Sequence, residues 1–133
     1  KANNEHCNCK KTRFTFQDKS RFCITRILHS YKTHANTRNL SFDLTREQFI
    51  KLIAKNCYYC NLPPSNITTF KFKTGLHYKF FYSGVDRKDN TLGYNTDNSV
   101  SCCKHCNRTK SDLTYQEFTE YLNRLTAFQG WKE

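Results

Sequence analysis

Apolar residues recur at helical spacing in three segments of the chain. The first segment runs from about Ser20, which we interpret as an N-cap, to about His34. The other two follow Thr45 and Thr114, and each threonine is followed three residues later by Gln or Glu, a capping-box pattern that predicts a helix start. The apolar stripe of the last helix is interpreted as core and comprises Tyr115, Phe118, Tyr121, Leu122, Leu125 and Phe128.

Between these helices the pattern changes to one that predicts strands. Residues 67–73 and 77–85 are rich in aromatic and β-branched side chains. A turn containing Gly93, which we expect at positive φ, precedes a short return strand at residues 99–101. A further helix is expected to begin around Cys103. Helices combined with strands that are joined by turns predict an α+β fold.

Positive charge is concentrated near the N-terminus. Lys and Arg outnumber Asp and Glu by 22 to 11, which gives a net charge of +11. Residues 1–44 contain nine of these cations and only three carboxylates, so we divide the chain into a basic N-terminal arm and helix (1–44) and a core (45–133). Such a surplus predicts a polyanionic partner, either nucleic acid or an acidic membrane. No apolar run approaches the roughly 18 residues of a membrane span and no signal-peptide pattern is present, so we expect an intracellular protein with no membrane partner.

The cysteine spacing indicates how a small core could be stabilised. Hydrophobic residues make up 37% of the chain and its mean hydropathy is −0.83, so burial alone is expected to stabilise the fold weakly. Eight cysteines include two Cys-x-x-Cys pairs, Cys57 with Cys60 and Cys103 with Cys106. Because this spacing places two thiolates on one metal ion, we predict a structural Zn²⁺ bound by all four, in preference to disulfide bonds. Cys102 is an alternative ligand to its neighbour.

The N-terminal cysteines are a second candidate metal site. Cys7, Cys9 and Cys23 could bind another Zn²⁺ together with His6 or His29. The Cys-x-Cys spacing is unusual for zinc, and three unligated thiols are the alternative.

Four side chains near the second cysteine pair have the chemistry of a phosphodiester hydrolase. Asp86 lies at the end of a predicted strand and offers a hard oxygen ligand for Mg²⁺ or Mn²⁺. Asn107 directly follows the last zinc cysteine and offers its amide oxygen to the same ion. Arg87 can stabilise charge on a phosphate, and Tyr94 lies in a turn from which its phenol can reach the site. Each residue also has a purely structural interpretation, and their occurrence together favours catalysis.

The stretch that contains these residues reads VDRKDNTLGYNTDNSVSCCKHCNRTKS. It resembles the ββα-metal motif of the HNH endonuclease superfamily, in particular the branch that contains the restriction enzyme PacI. In that branch the first histidine of the HNH signature is replaced by Arg in an Asp-Arg pair, and the last histidine is replaced by Asn. The resemblance covers about residues 57–111. It implies a small zinc-stabilised ββα-metal core with flanking helices.

The resemblance also implies roles for single residues. Asp86 and Asn107 would be ligands of a catalytic Mg²⁺ or Mn²⁺ ion, and an upstream histidine, here His34, would complete the set. Asn98 would hold the loop of the hairpin in shape.

The implied activity is a Mg²⁺- or Mn²⁺-dependent, sequence-specific endonuclease acting on double-stranded DNA, of the restriction, phage, viral or mobile-element type. In it, Arg87 and Tyr94 would flank the attacking water and the scissile phosphate. Cleavage of both strands could use a homodimer on a palindromic site. The residues expected to contact nucleic acid are Arg38, Arg87, Lys88, Arg108 and Lys110.

Two other functions are compatible with the composition. One is a non-catalytic, zinc-stabilised nucleic-acid-binding module within a larger assembly, and the other is a structural zinc protein with an acidic protein partner. The joint presence of Asp86, Arg87, Tyr94 and Asn107 favours catalysis, because a pure binder has no need of all four.

Overall fold

The computed structural model describes residues 16–129 as four helices and four short strands. The predicted α+β class is confirmed. None of the described helices is both long and apolar enough to cross a membrane. In chain order the elements are α1 (Phe16–Thr37), α2 (Arg46–Ile53), β1 (Asn66–Lys71), β2 (His77–Tyr82), β3 (Gly84–Arg87), β4 (Ser99–Cys102), α3 (Lys104–Lys110) and α4 (Tyr115–Gln129).

The strands form two separate antiparallel pairs, β1 with β2 and β3 with β4. The sequence predicted one continuous strand at residues 77–85, and this prediction is wrong. The chain leaves the first pair at Ser83, whose backbone amide donates to the Ile53 carbonyl at 2.8 Å and whose hydroxyl donates to the Lys55 carbonyl at 2.6 Å. Because these bonds hold Ser83 against the end of α2, the next residues pair with a different strand.

The second pair leads directly into α3, which gives a β-hairpin followed by a helix. All four residues of β3 are buried. The return strand and the helix lie close to where the sequence predicted them, and Cys103 is the N-cap of α3, with its sulfur accepting from the Cys106 amide at 3.4 Å. This hairpin and helix together form a ββα unit.

The two helices before the strands begin differently from each other. Thr45 caps α2 as predicted, since its hydroxyl accepts from the Gln48 amide at 3.2 Å and the Gln48 side chain accepts from the Thr45 amide at 2.8 Å. The first helix begins at Phe16, so Ser20 lies inside it and is not its cap. The Ser20 hydroxyl instead lies 3.0 Å from the Tyr78 hydroxyl, which links α1 to β2.

One buried cluster joins the N-terminal helix to the rest of the molecule. It contains residues from both sides of position 44, so α1 packs on the same core as α2 and β3. Its members are Ile27, Leu28, Ala35, Leu44, Phe49, Ile53, Val85 and Tyr94.

The last helix is mostly exposed, which corrects the prediction that its whole apolar stripe is core. Phe118 is buried and packs edge-on against Tyr59 at 5.2 Å between ring centroids. Tyr115 is 39% exposed and Phe128 is 88% exposed. The stripe extends along a helix of about four turns, whereas the small domain covers only its first turns.

Gly93 is needed for close packing and not for a positive φ, which corrects the sequence-based expectation. A Cβ atom at this position would collide with the hydroxyl and the carbonyl oxygen of Ser41. The contact is close because the Tyr94 amide donates to the Ser41 carbonyl at 2.9 Å and the Asp43 amide donates to the Tyr94 carbonyl at 2.7 Å.

Replacing Gly93 with Ala should therefore destabilise the protein by about 1–3 kcal/mol, the usual cost of forcing extra volume into a packed site. The free energy of unfolding, measured by denaturant titration, tests this. Thr96→Ala is the control, because Thr96 is an exposed residue of the same loop. Equal unfolding midpoints for Gly93→Ala and the wild type would contradict the close packing.

Candidate functional site

The four cysteines of the two Cys-x-x-Cys pairs lie together. The sulfur atoms of Cys57, Cys60, Cys103 and Cys106 all lie within 4.8 Å of one another. The distance between the Cys60 and Cys103 sulfurs is 3.7 Å. Four thiolates at 2.3 Å from a tetrahedral Zn²⁺ would be roughly 3.8 Å apart, so this cluster fits the ion. Four protein ligands leave no open position, which is the arrangement of a structural metal site.

The surroundings of Cys57 favour its metal-binding form. Burial raises the pKa of this thiol, but hydrogen bonds from the backbone amides of Cys103, Cys60 and Tyr59 outweigh that effect and lower the pKa to about 7. The thiolate is the form of cysteine that binds metal. In contrast, burial together with the neighbouring thiols raises the pKa of Cys106.

Cys102 is not part of this cluster. Its sulfur donates to the backbone carbonyl of Cys103 at 3.3 Å, and burial raises its pKa. The position of its sulfur therefore favours Cys103 over Cys102 as the ligand. All six cysteines in the described part of the chain are free of disulfide bonds.

The second predicted zinc site stays a prediction. Cys7 and Cys9 lie outside the described residues, and Cys23 is completely buried within α1.

A cleft of about 700 Å³ lies between α1, β3 and α3, and it contains five of the side chains that the sequence assigned to catalysis or to the catalytic metal. His34 comes from α1, Asp86 and Arg87 from β3, Tyr94 from the loop after it and Asn107 from α3. The other residues that line the cleft are Ser30, Tyr31, Arg38, Val85, Asn90, Ser111 and Asp112.

The carboxylate of Asp86 is held in place through one of its two oxygens. The Tyr59 hydroxyl donates to Oδ2 at 2.8 Å, and the Lys110 ammonium lies 3.4 Å from the same atom. Burial, and then the hydrogen bond and charge of Asp86, raise the pKa of Tyr59, so the phenol remains a donor at neutral pH. No described residue bonds Oδ1, which leaves that oxygen for a ligand in the cleft.

Lys110 cannot contact nucleic acid as the sequence predicted. Its side chain is completely buried, and its ammonium donates to the Arg87 carbonyl at 2.9 Å as well as pairing with Asp86. A buried ammonium needs such partners because desolvation of an unpaired charge is costly. Among the other predicted contacts, Arg38 lines the cleft, Arg108 is exposed and Lys88 is half-buried.

The side chain of Arg87 crosses the loop that follows β3. One guanidinium nitrogen donates to the carbonyls of Asn90 and Leu92, at 2.7 Å each. The guanidinium carbon lies 5.3 Å from the centre of the Tyr94 ring, within the range of a cation–π interaction. Arg87 is therefore rigidly positioned, with its second terminal nitrogen not bonded by any described residue.

The backbone and the ring of Tyr94 are both fixed. The ring is 7% exposed and packs edge-on against Tyr31, with 5.8 Å between centroids. Tyr31 in turn accepts a hydrogen bond from the Val85 amide at 2.8 Å, and burial raises its pKa. The two tyrosines thus form one wall of the cleft next to β3.

Asn98 spans the loop between β3 and β4. Its amide nitrogen donates to the carbonyls of Asp89 and Gly93, at 3.0 and 2.9 Å, and its oxygen accepts from the Asp89 amide at 2.9 Å. These three bonds link the two ends of the loop that carries Tyr94.

His34 and Asn107 are exposed at the cleft, and neither side chain hydrogen-bonds to the described residues. With the free oxygen of Asp86 they offer one imidazole nitrogen and two oxygens. This donor set, with room for water, suits a hard divalent cation such as Mg²⁺ or Mn²⁺.

Two residues of the site were not recognised in their roles from the sequence. Tyr59 lies inside the first cysteine pair, and only the fold shows that it reaches Asp86. Lys110 lies three residues after Asn107 on α3, and the sequence predicted a nucleic-acid contact for it and not its pairing with Asp86. A lysine is rarely buried, so sequence reasoning assigned it to solvent.

Comparison with known proteins supports the fold assignment. No protein-family model matches the chain. An uncharacterized protein, R423, of Acanthamoeba polyphaga mimivirus is 36% identical over 88 residues, which is 66% of this chain and 14% of that relative's length. The chain thus spans a small part of the relative it matches.

The structural comparison identifies the class of fold. The chain is similar to the rare-cutting HNH restriction endonuclease PacI with a TM-score of 0.54, over 80% of this chain and 81% of that one, at 21% sequence identity. The predicted resemblance to the PacI branch of the HNH superfamily is confirmed at the level of the fold. The protein therefore has an HNH-type ββα fold.

Adjacent cysteines provide a matched test of the metal centre. Cys103→Ser should lose bound zinc and unfold at lower denaturant, because three thiolates remain and metal binding contributes to folding. Cys102→Ser should keep its zinc, since a hydroxyl can still donate to the same carbonyl. Zinc content by elemental analysis of the purified proteins measures the difference. Full zinc in Cys103→Ser would contradict the assignment.

Lys110→Met should destabilise the protein by about 3–5 kcal/mol, because it leaves a mostly buried Asp86 carboxylate without its cation. Arg108→Met, on the exposed side of the same helix, should change stability by less than about 0.5 kcal/mol. Thermal or chemical unfolding of both variants tests the pairing. Similar losses in the two variants would show that Lys110 is not specifically required.

Proposed function

We propose that this protein is a metal-dependent DNA endonuclease that hydrolyses phosphodiester bonds in the cleft. The observation that carries the proposal is the convergence of His34, Asp86, Arg87, Tyr94 and Asn107 from separate elements on one cleft. The similar fold of an HNH restriction endonuclease supports the same activity. A cleft that collects metal ligands and cations is what hydrolysis of a phosphodiester requires.

Asp86, Asn107 and His34 would bind one Mg²⁺ or Mn²⁺ ion. When bound, the ion would supply positive charge to the phosphate oxygens and the leaving group. The protein would hold these ligands in position before the ion binds. Asp86 is fixed through Oδ2 by Tyr59 and Lys110, and so its other oxygen needs no reorganisation to bind a cation.

Arg87 and Tyr94 would act on the phosphate and the attacking water. Arg87 is anchored by one nitrogen and keeps the other for a phosphate oxygen, a geometry that guanidinium groups favour. Tyr94 would hold the attacking water by a hydrogen bond from its place in the wall of the cleft. Asn98 supports both residues by bonding the ends of their loop.

The four clustered thiolates would bind a structural Zn²⁺. Its place in the proposed function is to fix the start of α3, which carries Asn107, against the segment that carries Tyr59.

Duplex DNA is the proposed substrate. The net charge of +11 favours a phosphate backbone. Arg38 lines the cleft, Lys88 and Arg108 directly follow the cleft residues Arg87 and Asn107, and all three would contact phosphates. We also propose that cleavage is sequence-specific. A homodimer on a palindromic site would let two clefts cut both strands.

A second candidate function is a non-catalytic nucleic-acid-binding module of a larger protein. One observation favours it: the chain matches only 14% of the length of its mimivirus relative. The buried Asp86–Lys110 pair argues for catalysis, because a module that only binds DNA has no use for a preformed carboxylate next to its phosphate site.

Cleavage of supercoiled plasmid in Mg²⁺ or Mn²⁺ tests the proposal. The wild type should nick or linearise the plasmid, and Asn107→Ala should be slower by about 100-fold or more, the scale of losing one group that stabilises transition-state charge. Asn123→Ala is the control, since Asn123 is likewise an exposed helical asparagine but lies on α4. A wild type that binds plasmid and leaves it intact would support the binding module and reject the endonuclease.

A further inference from the structure

One side of α1 carries polar residues at intervals of four. Arg26, Ser30, His34 and Arg38 are all exposed, and they form a stripe that winds along the helix into the residue beyond its end. At 1.5 Å per residue the stripe is about 18 Å long. Its last three members line the cleft, so the stripe leads out of the candidate active site.

The open surface continues from the cleft towards the β1–β2 pair. A smaller cavity of about 180 Å³ adjoins α1 and is lined by residues that include Arg26, Thr68 and Tyr82. It shares Ser30 and Tyr31 with the cleft, so the two depressions meet along the helix. The Arg26 guanidinium donates to the Thr69 carbonyl at 3.2 Å, which fixes the far end of the stripe to β1.

The β1–β2 pair is packed on one face and exposed on the other. The packed face lies on α1, where Phe70 contacts Phe22 edge-on at 4.8 Å and the Lys19 ammonium lies 4.7 Å from the Phe72 ring. The exposed face consists of three cross-strand pairs, Ile67 with Phe81, Thr69 with Lys79 and Lys71 with His77.

The charge of this region has one sign. Residues 48–85 contain five lysines and no Asp or Glu. Two of these lysines, Lys71 and Lys79, lie on the exposed face of the β1–β2 pair, and Lys73 lies in the turn that joins the strands. A surface with cations and no carboxylates is complementary to a phosphate backbone.

We propose that duplex DNA bound in the cleft extends along the α1 stripe onto the exposed face of the β1–β2 pair. This inference rests on the proposed function, and it adds a second contact region outside the catalytic residues. Arg26 would bind a phosphate between the two regions. Lys71 and Lys79 would bind phosphates of the duplex beyond it.

The shape of the element also fits DNA. A two-stranded antiparallel ribbon is one of the elements that the major groove of B-DNA admits. Six-residue strands are about 20 Å long, enough to follow more than half a helical turn of the duplex. The apolar side chains Ile67 and Phe81 occupy only one end of the exposed face, whereas the lysines occupy the rest.

The test compares two double variants that remove the same charge. Lys71→Gln/Lys79→Gln changes the exposed face of the β1–β2 pair, and Lys51→Gln/Arg124→Gln removes two exposed cations from α2 and α4. Binding to a fluorescently labelled 24-base-pair duplex is followed by anisotropy over a salt series, without added divalent ions so that no cleavage occurs.

Loss of two phosphate contacts should reduce the slope of log affinity against log salt by about 1.8, which weakens binding by about 60-fold at 0.1 M salt if the affinities coincide at 1 M. The control variant should keep the wild-type slope. A third variant, Thr69→Lys, adds a cation to the same face and should steepen the slope by about 0.9. Unchanged slopes in both variants of this face would overturn the inference.

Cleavage separates this inference from the function on which it rests. The Lys71→Gln/Lys79→Gln variant should need a higher DNA concentration to reach half of its maximal cleavage rate, because it weakens binding outside the cleft. If the wild type cuts plasmid but the variants of the exposed face bind like the wild type, only the second contact region is wrong. If the wild type neither binds nor cuts DNA, both proposals fail.

Discussion

The cluster of four thiolates is the constraint on which the rest of the site depends. It joins the chain at residues 57–60 to the start of α3, and Cys57, Cys102 and Cys103 form a small buried cluster at this junction. Tyr59 lies within the first segment and Lys110 lies at the end of the helix that begins in the second. Both reach the same oxygen of Asp86. The geometry of the carboxylate therefore depends on a cysteine cluster that could hold a metal and that lies outside the cleft, as expected where a small core cannot supply rigidity by burial alone.

Local patterns in the sequence predicted the parts of the structure that local physics controls. The capping box of α2, the short return strand and the position of α3 all depend on neighbouring residues, and they lie close to where they were expected. The cysteine cluster was also predictable, because the Cys-x-x-Cys spacing is typical of two thiolates that bind the same metal ion. In the candidate site, the five cleft residues could be named from the sequence, although the sequence could not show that α1 reaches them.

The features that the sequence did not predict depend on distant contacts. The break at Ser83 results from hydrogen bonds to the end of α2, and Gly93 is required by the approach of Ser41. Burial of Lys110 depends on the Asp86 carboxylate and on the Arg87 carbonyl, both on β3. Each of these three features depends on a partner that is far away in the chain. For α4 the sequence failed in the opposite way: its helical periodicity predicted a buried stripe, but most of the stripe is exposed because the domain is too small to cover it.

The buried partner of Asp86 has a consequence for the order in which ligands arrive. In a site of bare carboxylates, mutual repulsion with phosphate makes the cation bind before the substrate. Here the buried Lys110 already balances Asp86 from behind, and the charged residues that line the cleft besides Asp86 are the cations Arg38 and Arg87, His34 and the carboxylate of Asp112. On the proposed function, DNA can enter a cleft that holds no divalent ion. Asp86, Asn107 and His34 would still be free to hold the ion once DNA is bound, so that occupancy by substrate and commitment to cleavage would be separate events.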